Sequence, residues 1–320
     1  MRVAVSVDME GISGLRDPHE ILAFSRPYWR TGRERISADA AAASTGLLSA
    51  GADEVVVLDN HGSGNPANIV AETLPAGGRL ETWDVFELAD HGVDALLQVG
   101  YHARAGVPAF ISHTYVPGLW LRVDGELIGE SHGRAWAAGL PLLGIVGNEA
   151  HERTLGSLAE IPFLVVQRTS SPAEADPAFA DDREAAAAIE AFAARVLREL
   201  PSAPPVPVGL LFEASLEADD EQAARLAAAG WKRTSETEFA VELRDWKQAR
   251  EPLAAAMAAA IAPWMPYFTA FDLTSEAAME SVHDDPVLER GRRRFDAWLE
   301  DVQPEWPAPG GTNRLGSRTP

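Results

Sequence analysis

The sequence predicts an α/β protein: a mixed, largely parallel sheet flanked by helices in three layers, with a smaller α+β subdomain toward the C-terminus. Three observations carry this. Short β-branched runs alternate with alanine-rich stretches of helical length, the pattern of strands joined by crossover helices. The apolar runs stop abruptly in polar, glycine-containing loops. A stiff proline-rich stretch (Pro201, Pro204, Pro205, Pro207) then divides residues 1–200, the larger α/β domain, from a smaller region at 207–275. A C-terminal helix and a disordered tail are expected over 280–320.

Each element follows from its residues. Val3-Ala4-Val5-Ser6-Val7 reads as a buried strand, and a helix is expected over 34–50, ending at Gly51. Val55-Val56-Val57-Leu58 is a second strand, and 93–100 a third. Residues 119–127 carry Asp124-Gly125, a hairpin turn pair. Glu130 opens an alanine-rich helix, followed by strands at 142–146 and 163–166 and a strong helix at 183–200. Beyond the prolines come a strand (208–212), an acidic helix (217–229), a strand (237–243) and a helix (246–262). An amphipathic helix over 287–302 carries Arg290, Arg292, Arg293 and Arg294, read as a solvated face, with a Pro/Gly-rich tail beyond Gln303.

Composition narrows the function. The 320 residues, 46% of them hydrophobic, suffice for one large or two modest domains. There is no cysteine, so disulfides and thiolate metal sites are excluded, and any metal must use His, Asp, Glu, carbonyls or water. The net charge of -21 argues against nucleic acid as a partner. No apolar run reaches about 18 residues, so no membrane span is expected. The first residues form a strand pattern rather than a leader, which gives a cytoplasmic expectation. No phosphate loop, G-x-S-x-G elbow or GxGxxG turn is present.

The chemistry-bearing residues fall at strand ends. Asp8 and Glu10, spaced i, i+2, point to the same side where the first strand finishes. Two carboxylates sit together when a cation lies between them or when one keeps a proton. His61 follows the second strand and His102 the third, with His113 and Glu130 shortly after. Taken singly, each has a structural explanation: a turn, a loop hydrogen bond, a buried histidine, a helix start. Together they form a set of hard oxygen and imidazole donors suited to Zn, Mn or Co, and too many for one ordinary zinc. They suit two metals about 3.5–4 Å apart.

At these residues the chain resembles the DppA-like zinc-dependent D-aminopeptidase family. The matching pieces are Ser6-Val7-Asp8-Met9-Glu10-Gly11-Ile12-Ser13-Gly14, Leu58-Asp59-Asn60-His61-Gly62-Ser63, Gly100-Tyr101-His102-Ala103-Arg104, Ile111-Ser112-His113-Thr114 and Ile128-Gly129-Glu130. The resemblance runs from residue 1 to about 275. It implies two zinc ions per chain, Asp8 bridging them, Glu10 and His61 completing one site, His102 and Glu130 the other, and His113 as the catalytic histidine. It implies removal of N-terminal D-amino acids from short peptides or amino acid amides, and ring-shaped homo-oligomers. The chain departs from the family after Glu130, in Ser131-His132-Gly133-Arg134. Arg134, one helical turn on, either faces the same cleft or lies on the surface; His132 is expected on the surface. Asn148 and Glu149 stand where the family has acidic residues near the site. Two other readings use the same residues: a metal-dependent amidase on another small amide, and a non-catalytic metal-containing binding protein. The complete donor set argues against the second.

Overall fold

A computed structural model of the chain describes residues 1–23, 25, 28–62, 67–171, 173–268 and 286–302. The tail expected beyond Gln303, like Ser63 of the second motif, lies outside them. In chain order the strands are β1 (Arg2–Val7), β2 (Glu54–Asp59), β3 (Gly78–Glu81), β4 (Ala95–Tyr101), β5 (Trp120–Val123), β6 (Glu126–Ile128), β7 (Leu142–Asn148), β8 (Phe163–Ser171), β9 (Glu174–Pro177), β10 (Val208–Ser215), β11 (Lys232–Arg233) and β12 (Glu238–Asp245). The principal helices are α1 (Tyr28–Ser49), α2 (Glu130–Ala138), α3 (Glu149–Glu152), α4 (Asp182–Glu199), α5 (Asp220–Ala228) and α6 (Arg250–Ile261), followed by a C-terminal helix, Pro286–Val302.

The strands form two sheets. The first has the order β3-β2-β1-β4-β7-β8-β9 and is parallel except for the β8–β9 edge pair. The second, β11-β12-β10-β5-β6, is antiparallel. The mixed, largely parallel α/β class expected from the sequence is therefore the observed one. The second sheet draws its strands from both sides of the proline stretch: the β5–β6 hairpin precedes it, and β10, β11 and β12 follow. Its turn is Asp124-Gly125, both at positive φ (50° and 83°), as a tight two-residue hairpin requires.

The layers follow from strand periodicity. Val3, Val5 and Val7 point to one face and pack with Val55, Val57, Leu97 and Val99 against Ile36 and Leu47 of α1 and Ile189 and Val196 of α4. Ala4, on the other face, packs with Val56, Leu58, Leu96 and Ile145 against Ala135 and Ala138 of α2. Both faces are covered, which is why the central strands read as near-continuous apolar runs. Each fully buried Val or Leu contributes about 1.5–3 kcal/mol. A separate core under the second sheet joins Phe212, Val241 and Trp246 to α5 and α6.

Three details differ from the sequence reading. Helix α1 begins at Tyr28, a turn and a half before the expected start, because Trp29 is buried with its indole N–H donating to Asn68 Oδ1 (2.9 Å). Strands β3 and β9 were not expected; both are short edge strands of polar composition with no apolar alternation. The C-terminal helix is not merely a solvated face, since Leu288, Phe295 and Leu299 are buried in the main core.

Connectivity positions the site. From β1 the chain builds outward through β2 and β3, then crosses to β4 on the opposite side of β1. The reversal lies between β1 and β4. Open α/β sheets form a crevice at this point, outside the carboxyl ends of the strands.

Candidate metal centre

All six residues singled out in the sequence converge at that crevice. Asp8 and Glu10 leave β1, His61 follows β2, His102 follows β4, His113 comes from the loop before β5, and Glu130 opens α2. Glycine makes the convergence possible. The loop after β1 donates Gly11 N–H to the Gly100 carbonyl (2.8 Å). A Cβ on Gly11 would lie 2.1 Å from the Tyr101 carbonyl oxygen, and one on Gly100 (φ +79°) would lie 2.0 Å from that of Asp8.

The carboxylates and imidazoles interlock. His61 Nδ1 lies 3.1 Å from Glu10 Oε2 and 3.5 Å from Asp8 Oδ1. His102 Nε2 lies 3.2 Å from Asp8 Oδ2 and 3.7 Å from Glu130 Oε1. His113 Nε2 lies 3.7 Å from Glu10 Oε1, and its ring stacks on that of His102 with centroids 4.2 Å apart. Asp8, Glu10, His102, His113 and Glu130 are buried, and His61 nearly so. Three groups of donor atoms, each within 4.8 Å of one another, can hold an ion: Asp8 with Glu10 and His61, Asp8 with His102 and Glu130, and Glu10 with His102 and His113.

Hydrogen bonding fixes each imidazole. His61 Nε2–H donates to the Ile21 carbonyl (2.8 Å), His102 Nδ1–H to that of Ala103 (2.9 Å) and His113 Nδ1–H to that of Ile111 (3.0 Å). The inward nitrogen of each ring then faces a carboxylate, and in the neutral ring it is a lone pair. Two acceptors facing each other need a proton or a metal cation between them. This is the arrangement in which a ligating histidine is oriented by its other ring N–H. Asp8 Oδ2, His102 Nε2 and Glu130 Oε1 are buried without a hydrogen-bond partner, so the donor set fits a divalent ion.

The same crowding sets the proton affinities. Burial pulls His102 down, but the adjacent Asp8 carboxylate and the Glu130 and Glu10 charges outweigh it and push it up to about 10. His61 is raised well above the ordinary imidazole value, burial again being overcome by Glu10 and Asp8. Burial and the Asp8 charge push Glu130 well above the usual carboxylate range. His113 moves the other way, to about 4, because it is buried and faces His102. The backbone on both sides of His113 is strained: Ile111 (φ 45°) and Tyr115 (φ 61°) occupy the left-handed region. A β-branched residue there costs on the order of 1–3 kcal/mol, and such strain concentrates at functional positions.

The departures after Glu130 take definite places. Arg134 is mostly buried, with 12% of its side chain exposed; its guanidinium donates to Asn60 Oδ1 (2.8 Å) and the Asn60 carbonyl (2.7 Å) and lies 4.0 Å from Glu130 Oε2. It thus tethers the loop that carries His61 to the helix that carries Glu130, rather than lying on the surface. Asn60 in turn donates to Ser6 Oγ (2.6 Å). His132, expected on the surface, is buried against Trp136 and donates to the Leu155 carbonyl (2.7 Å). Two positions beyond Glu130, it turns to the other side of α2, which packs inward as well. Asn148 donates to Gln167 Oε1 (2.6 Å), and Gln167 donates to the Glu10 carbonyl (3.1 Å). Glu149 belongs to none of the candidate groups among the described residues. Asn60 and Gln167 were missed: Asn60 is adjacent to His61 in its motif, whereas nothing in the strand pattern marks Gln167.

Fold and site together define a class: an open α/β protein with a buried carboxylate–imidazole cluster, fit for divalent metal, at the switch point of its parallel sheet. The chain belongs to the Peptidase_M55 (D-aminopeptidase) family, whose model matches residues 1–255. The resemblance seen in the five motifs is thus upheld. The chain is 32% identical over 158 residues to the D-aminopeptidase of Bacillus subtilis (strain 168), covering 47% of this chain and 57% of that relative. It therefore spans little more than half of the curated relative's length. Among solved structures it is similar to the Zn-dependent D-aminopeptidase DppA from Bacillus subtilis, described as a self-compartmentalizing protease. The match has a TM-score of 0.72 at 23% identity and covers 82% of this chain and 98% of that one. At that identity it shows the fold.

Proposed function

We propose that the chain is a cytoplasmic two-zinc aminopeptidase that removes an N-terminal amino acid, of D configuration, from short peptides or amino acid amides, working as a ring-shaped homo-oligomer. The observation that carries this is the set of inward-facing ring nitrogens on His61, His102 and His113, each ring fixed by a backbone carbonyl, opposite three buried carboxylates. Two candidate groups share Asp8, which supports Asp8 as the residue common to both ions. Glu10 and His61 complete one site; His102 and Glu130 complete the other. When bound, zinc here supplies Lewis-acid chemistry, acidifying water and polarising an amide carbonyl.

The protein's own groups supply the rest. His113 lines a cavity of about 670 Å³ beside the cluster. With Nδ1–H committed to Ile111, its Nε2 is the atom that takes a proton and later delivers it to the leaving amine. Glu10 faces that nitrogen and orients the ring. The family match and the Bacillus subtilis relatives support the D-aminopeptidase assignment, and the name self-compartmentalizing supports assembly.

The test is a panel of D- and L-aminoacyl amides and dipeptides with the parent and His113→Ala. The parent is expected to cleave the D-substrates. His113→Ala should lose about 10²–10⁴ in kcat while keeping its zinc content. Inactivity of the parent on every D-substrate, or full activity of His113→Ala, contradicts the reading.

A further inference from the structure

The cavity beside His113 has a second wall that the family match does not reach. The match ends at residue 255, whereas Trp264, Arg294 and Trp298 line the cavity from beyond it. Arg294 and Trp298 belong to the C-terminal helix. That helix is anchored to the body of the protein: Phe295 and Leu299 enter the main core, and Asp296 Oδ1 lies 3.0 Å from His19 Nε2. Its position at the cavity mouth is therefore set by packing.

Arg294 is exposed and lines the cavity. Its guanidinium stacks over Trp264 at 5.0 Å, and among the described residues it forms no ion pair with a carboxylate. Its neighbours Arg292 and Arg293 both bond Glu289 on the surface. Among the described residues the cavity carries one lining carboxylate, Glu217, and a further aromatic wall, Trp120. A planar cation laid on an aromatic face, with its donors unspent, recognises a carboxylate through paired hydrogen bonds. The volume of about 670 Å³ accommodates a molecule of several residues' size. A short peptide with a free C-terminus brings an anion to one end of such a cavity and its N-terminal residue to the other. An amino acid amide brings no anion.

We propose that Arg294 is a specificity-determining residue that binds the C-terminal carboxylate of a short peptide, so that the chain favours free peptides over their carboxamides. This rests on the aminopeptidase reading for where the N-terminal residue lies. The test uses the zinc-loaded full chain and the reduced-amide analogue of D-alanyl-glycine, in which CH₂ replaces the scissile carbonyl, as the acid and as its carboxamide. Calorimetry should show the acid binding about tenfold tighter in the parent, with that preference abolished in Arg294→Ala and carboxamide affinity unchanged. Arg294→Lys, which keeps the charge but loses the planar fork, should retain part of the preference. Equal binding of acid and carboxamide in the parent, or an unchanged ratio in Arg294→Ala, overturns the proposal. Hydrolysis of D-alanyl-glycine followed in parallel separates the two claims. Acid preference without hydrolysis contradicts the peptidase reading and upholds the carboxylate site.

Discussion

At the amino ends of β1 and β2, carboxylates stand near solvent within reach of permanent cations. Asp53 pairs with the N-terminal amine, and Glu54 lies 2.5 Å from Arg2 Nε and 2.8 Å from Arg79 Nε. At the carboxyl ends of the same sheet, Asp8, Glu10 and Glu130 are buried, and imidazoles surround them instead. Exposed pairs of the first kind contribute little, about 0–1 kcal/mol each. Buried carboxylates carry a desolvation cost of several kcal/mol that only protons, a fixed cation or a metal offsets. The contrast shows that acidic residues at the two ends are not interchangeable. One end is surface chemistry; the other holds charge where charge is expensive.

Arg134 is the fixed cation at the buried end, and removing it sharpens the contrast most. Arg134→Met in metal-free protein should cost about 3 kcal/mol by urea denaturation, because the Asn60 acceptors lose their donors and Glu130 loses its nearest arginine. A loss below about 1 kcal/mol would place Arg134 with the surface pairs.

Asp39 is a buried carboxylate hydrogen-bonded, among the described residues, only by Ser13, whose N–H (2.7 Å) and Oγ–H (2.5 Å) both donate to it. Burial pushes it up to about 6 from an ordinary 3.8, and Asp182 adds to the rise. The folded state therefore binds this proton more tightly than the unfolded chain. The resulting stability is fully present below pH about 4 and is lost as pH rises through about 6, a total of about 3 kcal/mol. Asp39→Asn does not titrate, so its stability relative to the parent should rise by that amount between pH 4 and 7. A difference that stays flat across urea melts over this range contradicts the assignment.

Much of the site was legible in the sequence because its residues occupy strand ends, where a change from apolar to polar is plain. Asp8 and His102 follow an apolar strand directly, and Glu10 and His61 come within three residues of one. The supporting contacts were not legible, because they depend on distant packing. Arg134 lies 74 positions from Asn60, and Gln167 lies 157 from Glu10. His132 looked like a surface residue because the pattern of α2 does not reveal that both its sides are covered. The β5–β6 hairpin was visible as a hairpin, but its pairing with β10 joins segments nearly ninety residues apart, across the proline stretch. The arginines of the C-terminal helix read as one solvated face, although Arg294 alone turns into the cavity.

The central claim is that the buried carboxylates exist to hold two divalent ions. Elemental analysis of protein purified without a metal-affinity tag, beside Asp8→Ala, tests it most directly. The account predicts about two zinc ions per chain in the parent and fewer than one in Asp8→Ala, since both candidate sites share that residue. A parent that stays near zero after incubation with zinc, or an Asp8→Ala protein that still binds two ions, would contradict it.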